Sequence, residues 1–138
     1  MLTIEPIQDV SEDVLNHFFT EEQKPVHQWE WDYGYLTLID DEAIAFFVLD
    51  PVSQEDAWLR RLWVKGGSNP ALMLMMFEWI GDYAVKANFH NLYTHLDDPS
   101  KQVLLEMNQF KPSEEAPVEN KDQQGYWYVK SLNVQTTS

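Results

Sequence analysis

The stretch Leu59–Ala84, LRRLWVKGGSNPALMLMMFEWIGDYA, constrains this chain more than any other. β-branched and aromatic residues from Trp58 to Val64 read as a strand, which a glycine-containing turn delivers to a long helix. Leu72, Met76, Trp79, Ile80 and Tyr83 recur at helical spacing and share one stripe. Ser68 or Asn69 can cap that helix, because either side-chain oxygen accepts an orphan backbone N–H. Pro70 suits its first position, where no intrahelical bond is lost. A strand passing through Gly66 and Gly67 into the positive end of a helix is one way to hold an anion. Arg60, Arg61 and Lys65, three of the nine cations, lie just before this turn. They read either as charges that keep a strand edge soluble or as a positive collar around an anion.

The whole chain has 138 residues, enough for one domain with a single core, and its six Trp, seven Phe and six Tyr can fill that core. It has no Cys, which excludes a disulfide framework, a thiolate zinc site and Cys catalysis. His17, His27, His90 and His95 lack zinc spacing, and Gly66-Gly67-Ser68 does not continue as a Walker turn. No metal is expected. The acidic balance, 23 Asp plus Glu against 9 Lys plus Arg for a formal charge of −14, repels phosphate backbones, so no nucleic-acid partner is expected. The N-terminus does not read as a signal peptide, and no apolar run approaches the roughly 20 residues that span a bilayer. The expectation is a soluble, cytoplasmic protein with no membrane partner.

Leu2, Ile4 and Ile7 suggest a first strand that Pro6 ends, and Ser11 caps a short helix whose apolar face is Val14, Leu15, Phe18 and Phe19. Thr20 to Gln28 reads as loop. In WEWDYGYLTLI, Trp29, Trp31, Tyr33 and Tyr35 fall at period two, so an extended chain would put all four rings on one face. That face serves either as core cover or as a wall for a small apolar or cationic substrate, with Trp29, Trp31 and Tyr33 as its candidate binding residues. Glu30 and Asp32 between them read as solvated, or as attractors of an amine. The acidic turn Asp40-Asp41-Glu42 leads into the strand AIAFFVLD, completing a hairpin. The long helix fades near Asn88, which tolerates a left-handed backbone. In the next strand Leu92, Thr94 and Leu96 face one way and Tyr93 and His95 the other. A second short helix begins at Asp97-Asp98-Pro99 with Val103, Leu104 and Met107 inward. A polar loop, flanked by a short strand at Phe110 to Pro112, precedes a last strand from Tyr126 to Leu132 and a frayed tail. The class is α/β (α+β): one domain, residues 1–132, a mixed sheet of about six or seven strands with helices on both faces, and a disordered tail at 133–138.

This order resembles the GNAT superfamily of CoA-dependent N-acetyltransferases over nearly the whole chain. Trp63-Val64 ending a strand before a turn and helix resembles the acyl-CoA site of that family. Phe77, Glu78 and Ala84 resemble its helix pattern, and LYTHL its fifth strand. LLEMNQF resembles the end of its penultimate helix, where the usual sequence is leucine, tyrosine, glutamate, lysine, any residue, glycine, phenylalanine. The resemblance implies an acetyl-CoA-dependent N-acetyltransferase acting on a small-molecule or protein amine, with a homodimer as a further partner arrangement. The alternative it leaves is a catalytically inactive GNAT-like binding or protein-interaction module. Acetyl-CoA as co-substrate would lie along Leu62, Trp63, Val64, Lys65, Gly67, Ser68, Asn69, Ala71 and Leu72. His95 would be the base, beside the cleft that the resembled fold opens between its fourth and fifth strands, and Tyr93 would be the acid. The phosphate-turn positions of the family fall here on Ser68, Ala71 and Met73. Its tyrosine acid falls on Leu105 and its asparagine on Asp98.

Overall fold

Asp40 and Asp41 both take the left-handed backbone region, with φ of 48° and 70°, and turn the chain between two antiparallel strands. Positive φ at both central residues matches the right-handed twist of a hairpin, and aspartate tolerates it better than a bulky residue. The computed structural model in which this is seen describes residues 1–20, 24–65, 70–118 and 126–132. They form two compact units, Met1–Asp50 with Arg60–Gly67, and Pro51–Leu59 with Ser68–Ser138. Seven strands among the described residues hydrogen-bond in the order β1-β2-β3-β4-β5-β7-β6.

The first unit contains β1 (Leu2–Pro6), α1 (Glu12–Phe18), α2 (Gln28–Tyr33), β2 (Gly34–Ile39), nearly all of β3 (Glu42–Pro51) and the C-terminal part of β4 (Asp56–Val64). β1 pairs antiparallel with β2 from Leu2↔Ile39 to Pro6↔Tyr35, so Pro6 closes the strand as expected. Ser11 caps α1 by accepting the Val14 N–H at 3.3 Å, with Glu12 and Asp13 complementing the helix dipole. Leu15, Phe18, Leu36, Leu38, Phe46 and Val48 form the core around Ile7. Edge-to-face rings knit it together: Phe18 to Phe19 at 4.9 Å, Phe19 to Phe46 at 5.3 Å and Phe18 to Trp63 at 5.0 Å.

The segment Trp29–Tyr33 corrects the sequence reading, because it is helix α2 and not the start of a strand. The Glu30 carboxylate accepts the N–H groups of Val26 at 3.3 Å and His27 at 3.2 Å, which satisfies the donors that a helix start leaves open. Residues two apart on a helix lie about 200° apart, so Trp31 turns away from Trp29 and Tyr33, which are four apart on one side, and the four rings do not share one face. Trp31 donates its indole N–H to the Pro25 carbonyl at 3.2 Å, and Tyr35, already in β2, stacks on Phe47. Gly34 makes the switch from helix to strand: a Cβ there would lie 2.1 Å from the Glu30 carbonyl oxygen.

In the second unit the N-terminal part of β4 pairs in parallel with β5 (Asn91–Leu96), while β7 (Tyr126–Ser131) runs antiparallel to both β5 and β6 (Lys111–Ser113). The expected mixed sheet is therefore present. Helix α3 (Pro70–Lys86) opens on Pro70; the caps expected at Ser68 or Asn69 lie outside the described residues. Its buried stripe is Met76, Phe77, Ile80, Gly81 and Ala84, turned from the expected one, and Leu72, Trp79 and Tyr83 are only half-buried. Asn88 takes φ 69° as the sequence suggests. Phe89 N–H then reaches the Ala84 carbonyl and Asn88 N–H the Val85 carbonyl, both at 3.0 Å, the bond pattern of a Schellman cap.

A 3-10 turn, Pro99–Lys101, precedes α4 (Gln102–Met107). Here the expected inner face is wrong: Val103 and Met107 are 63% and 62% exposed, while Leu105 is buried and Leu104 half-buried. Val103 and Met107 lie four apart on one side, and Leu105, two residues from each, lies on the other. The helix closes as α3 does, with Phe110 N–H on the Leu105 carbonyl and Gln109 at φ 69°. Gln109 occupies the position where the resembled motif carries glycine. The expected tail, 133–138, and much of the expected polar loop lie outside the described residues, as does the middle of the loop expected at Thr20 to Gln28.

Candidate active site

In β5, Leu92, Thr94 and Leu96 are buried and Tyr93 and His95 half-buried, so the strand presents the two titratable side chains together. The register sets His95 opposite Trp127 and Tyr93 opposite Trp58 and Val129. The His95 ring meets Trp127 edge-on at 5.1 Å, and Trp127 meets Trp58 at 5.2 Å. Burial raises the pKa of the Tyr93 phenol, and the Asp56 and Glu115 carboxylates push it further the same way. Asp56 is held by the Asn91 side-chain N–H at 2.9 Å. The parallel ladder of β4 and β5 ends at Leu59↔Thr94, where the Thr94 hydroxyl donates to the Leu59 carbonyl at 3.3 Å. Trp58 and Trp127 were not singled out by the sequence reading as neighbours of His95; their relation to it depends on register, which local pattern does not specify.

The later residues of β4 lie in the first unit. Val64 is buried, Leu62 is half-buried, and half-buried Trp63 packs edge-on against Phe18. The cations meant for a collar are matched with carboxylates. Arg60 donates to Asp50 at 3.1 Å and lies 3.7 Å over the Trp29 ring, whose other neighbour is the stacked His27 imidazole. Arg61 is ion-paired to Glu30 and also lies near the Phe46 ring. Lys65 stands 4.0 Å from Glu42. Two guanidinium groups thus balance local acids, and the open collar is not what they form.

Glu30 corrects a second expectation, since it is 2% exposed and neither solvated nor offered to an amine. Its burial works to raise the carboxyl pKa, but the His27 N–H, the Arg61 guanidinium and the Val26 N–H outweigh that and hold it below the usual carboxylate range. Asp32 is exposed and accepts from the Gln28 amide at 2.9 Å. Trp31 lines a cavity of about 350 Å³ with Ile7, Val10, Leu15, Phe19 and Lys24. Trp29 instead contacts the Arg60 guanidinium and the His27 ring, and it and half-buried Tyr33 pack on the core. The structure therefore turns Trp31 away from Trp29 and Tyr33 where one wall of three rings was expected.

Gly67, Ser68 and Asn69 lie outside the described residues, with the glycine turn itself. Ala71 is exposed in the first turn of α3, next to half-buried Leu72. Leu105 is a core residue, 3% exposed. Asp98 accepts the Ser100 N–H at 3.0 Å, and that bond, helped by Lys101, holds its carboxyl below the usual range.

A parallel pair, β4 with β5, within a mostly antiparallel seven-stranded sheet among the described residues, with α3 connecting those two strands, is the GNAT acyl-CoA N-acyltransferase fold. The chain aligns with the N-acetyltransferase PseH of Campylobacter jejuni at a TM-score of 0.68 and 13% identity, covering 94% of this chain and 97% of that one. The same enzyme in complex with acetyl coenzyme A gives 0.66 and 12%, covering 95% and 99%. The ribosomal-protein-S18-alanine N-acetyltransferase of Escherichia coli gives 0.64 and 16%, covering 100% and 97%. Neither a protein-family model nor a curated protein sequence matches the chain. Among the described residues, no helix is long and apolar enough to cross a membrane.

Proposed function

We propose that the chain is an acetyl-CoA-dependent N-acetyltransferase acting on a small-molecule or protein amine. The observation that carries this is the parallel ladder ending at Leu59↔Thr94 in a chain of this fold, before β4 itself ends at Val64. Backbone in the last residues of β4, Leu62–Val64, is then the candidate for pairing with an extended acyl donor, as an added strand would. Ala71 is small enough for close approach at the start of α3, and Lys65, in a long and exposed pair, is the cation best able to turn toward a phosphate. The donor would supply the activated acetyl thioester. On the protein side, the His95 imidazole takes the proton of the acceptor amine. Tyr93, whose phenol keeps its proton to higher pH, is the donor to the leaving sulfur.

A second reading, a GNAT-like binding module without turnover, rests on Leu105, buried where the resembled enzymes carry a tyrosine. Titration of acetyl-CoA into the purified protein by calorimetry at two salt concentrations separates binding from its absence. The enzyme reading expects micromolar, salt-sensitive affinity, abolished in Ala71→Glu while far-UV dichroism is unchanged. Unchanged affinity in that variant removes the site from α3. If binding holds, His95→Gln should lower kcat about 10²- to 10⁴-fold in an amine screen, the usual contribution of a general base. Binding without turnover for any amine would support the module.

A further inference from the structure

Of the nine Lys and Arg residues, eight are described. Lys24 donates to Asn16, and Arg60, Arg61 and Lys65 face Asp50, Glu30 and Glu42. Among the described residues the side-chain ammonium groups of Lys86, Lys101, Lys111 and Lys130 make no ion pair or hydrogen bond, although the chain carries 23 carboxylates. Three of those four converge at the C-terminal end of α3. Lys86 and Lys130 line a cavity of about 400 Å³ with Gly81, Asp82, Gln109 and Ser131. Lys111 lines an adjoining hollow of about 330 Å³ that shares Gln109 and Ser131. Among the described residues Asp82 is the one carboxylate on either wall, so three ammonium groups meet one described acid within a chain of charge −14.

The backbone is shaped for one of these ammonium groups. Gly81 is a buried glycine inside α3, a position where glycine costs about 1 kcal/mol relative to alanine. A Cβ there would sit 3.3 Å from Lys130 Nζ and 3.9 Å from its Cε. The missing methyl lets the half-buried Lys130 lay its head against the helix beside the cavity. The Gln109 amide and Ser131 hydroxyl add neutral donors, and the left-handed backbone at Gln109 keeps that residue at the end of α4 beside β7.

We propose that this cavity binds a small multivalent oxyanion, a phosphate- or carboxylate-bearing metabolite. Its size suits one compact ligand, and the lysines would supply charge-assisted hydrogen bonds that the surrounding acids do not already take. Its lining on α3, Gly81 to Lys86, lies about 16 to 24 Å along the helix from Pro70, at 1.5 Å per residue, and is therefore separate from any acyl-donor phosphate site at the start of that helix. Pyrophosphate and citrate, each titrated into the full chain by calorimetry with and without saturating acetyl-CoA, test this. Saturable binding of either probe is expected, the tighter one identifying phosphate or carboxylate chemistry, with affinity indifferent to acetyl-CoA. Lys130→Gln should weaken it about tenfold and Lys86→Gln/Lys130→Gln further, while Lys101→Gln, outside the cavity, changes it less than about twofold. No saturable binding in the millimolar range, an equal loss in Lys101→Gln, or competition by acetyl-CoA would each overturn the proposal.

Discussion

Trp29–Tyr33 and Leu92–Leu96 both read from the sequence as strands of period two, yet the first is a helix and the second a strand. In Leu92–Leu96 the alternation sorts side chains by burial, and neighbours β4 and β7 pair with both edges. In Trp29–Tyr33 the residue that goes inside is Glu30, and it does so because Arg61, thirty-one positions away, neutralises it. A buried carboxylate with its guanidinium partner, plus two backbone N–H groups bonded to the same carboxylate, outweighs a period-two pattern. Alternation specifies a strand only where one of its two faces has apolar burial to gain.

The strongest break of this comparison is Arg61→Met, which leaves Glu30 buried without its partner. The expected loss is about 3 kcal/mol in urea unfolding. The double variant Glu30→Met/Arg61→Met should recover most of it, and a single-variant loss near zero would mean that α2 does not rest on the pair. Because the Glu30 pKa is lower folded than unfolded, its stabilisation is complete above the ordinary glutamate range and is lost as pH falls through the depressed value. Glu30→Gln should therefore flatten the acid limb of the stability profile, whereas a parallel shift of the whole profile would point to lost packing.

Gly34→Ala probes the hinge where α2 becomes β2. Its methyl would meet the Glu30 carbonyl at 2.1 Å, so a loss of about 1–3 kcal/mol is expected, read as an earlier thermal midpoint. An unchanged midpoint would show that the helix end yields without cost. The strand side gives the smallest effect. Thr94→Val removes the hydroxyl that bonds the Leu59 carbonyl at the last rung of the parallel ladder, for a loss of about 1 kcal/mol. Hydrogen exchange at Leu59 and Thr94 should rise in that variant without a change elsewhere in β5.

By itself the sequence determined what depends on neighbours a few residues apart. The hairpin turn at Asp40-Asp41, the Ser11 cap, the start of α3 at Pro70, its end at Asn88 and the facing of β5 all follow from short-range sterics and hydrogen bonding. Tyr93 and His95 were legible as a pair for the same reason, since alternation in a strand is local geometry. Only the tertiary structure decided that Trp29–Tyr33 would coil, that Arg60 and Arg61 would serve Asp50 and Glu30, and that Leu105 would displace Val103 and Met107 from the core. It also decided that Gln109 would take a left-handed conformation without being glycine, and that Lys86, Lys111 and Lys130 would gather around it. Each of these turns on residues far apart in the chain, where Coulomb pairing and burial override the local preferences that a sequence displays.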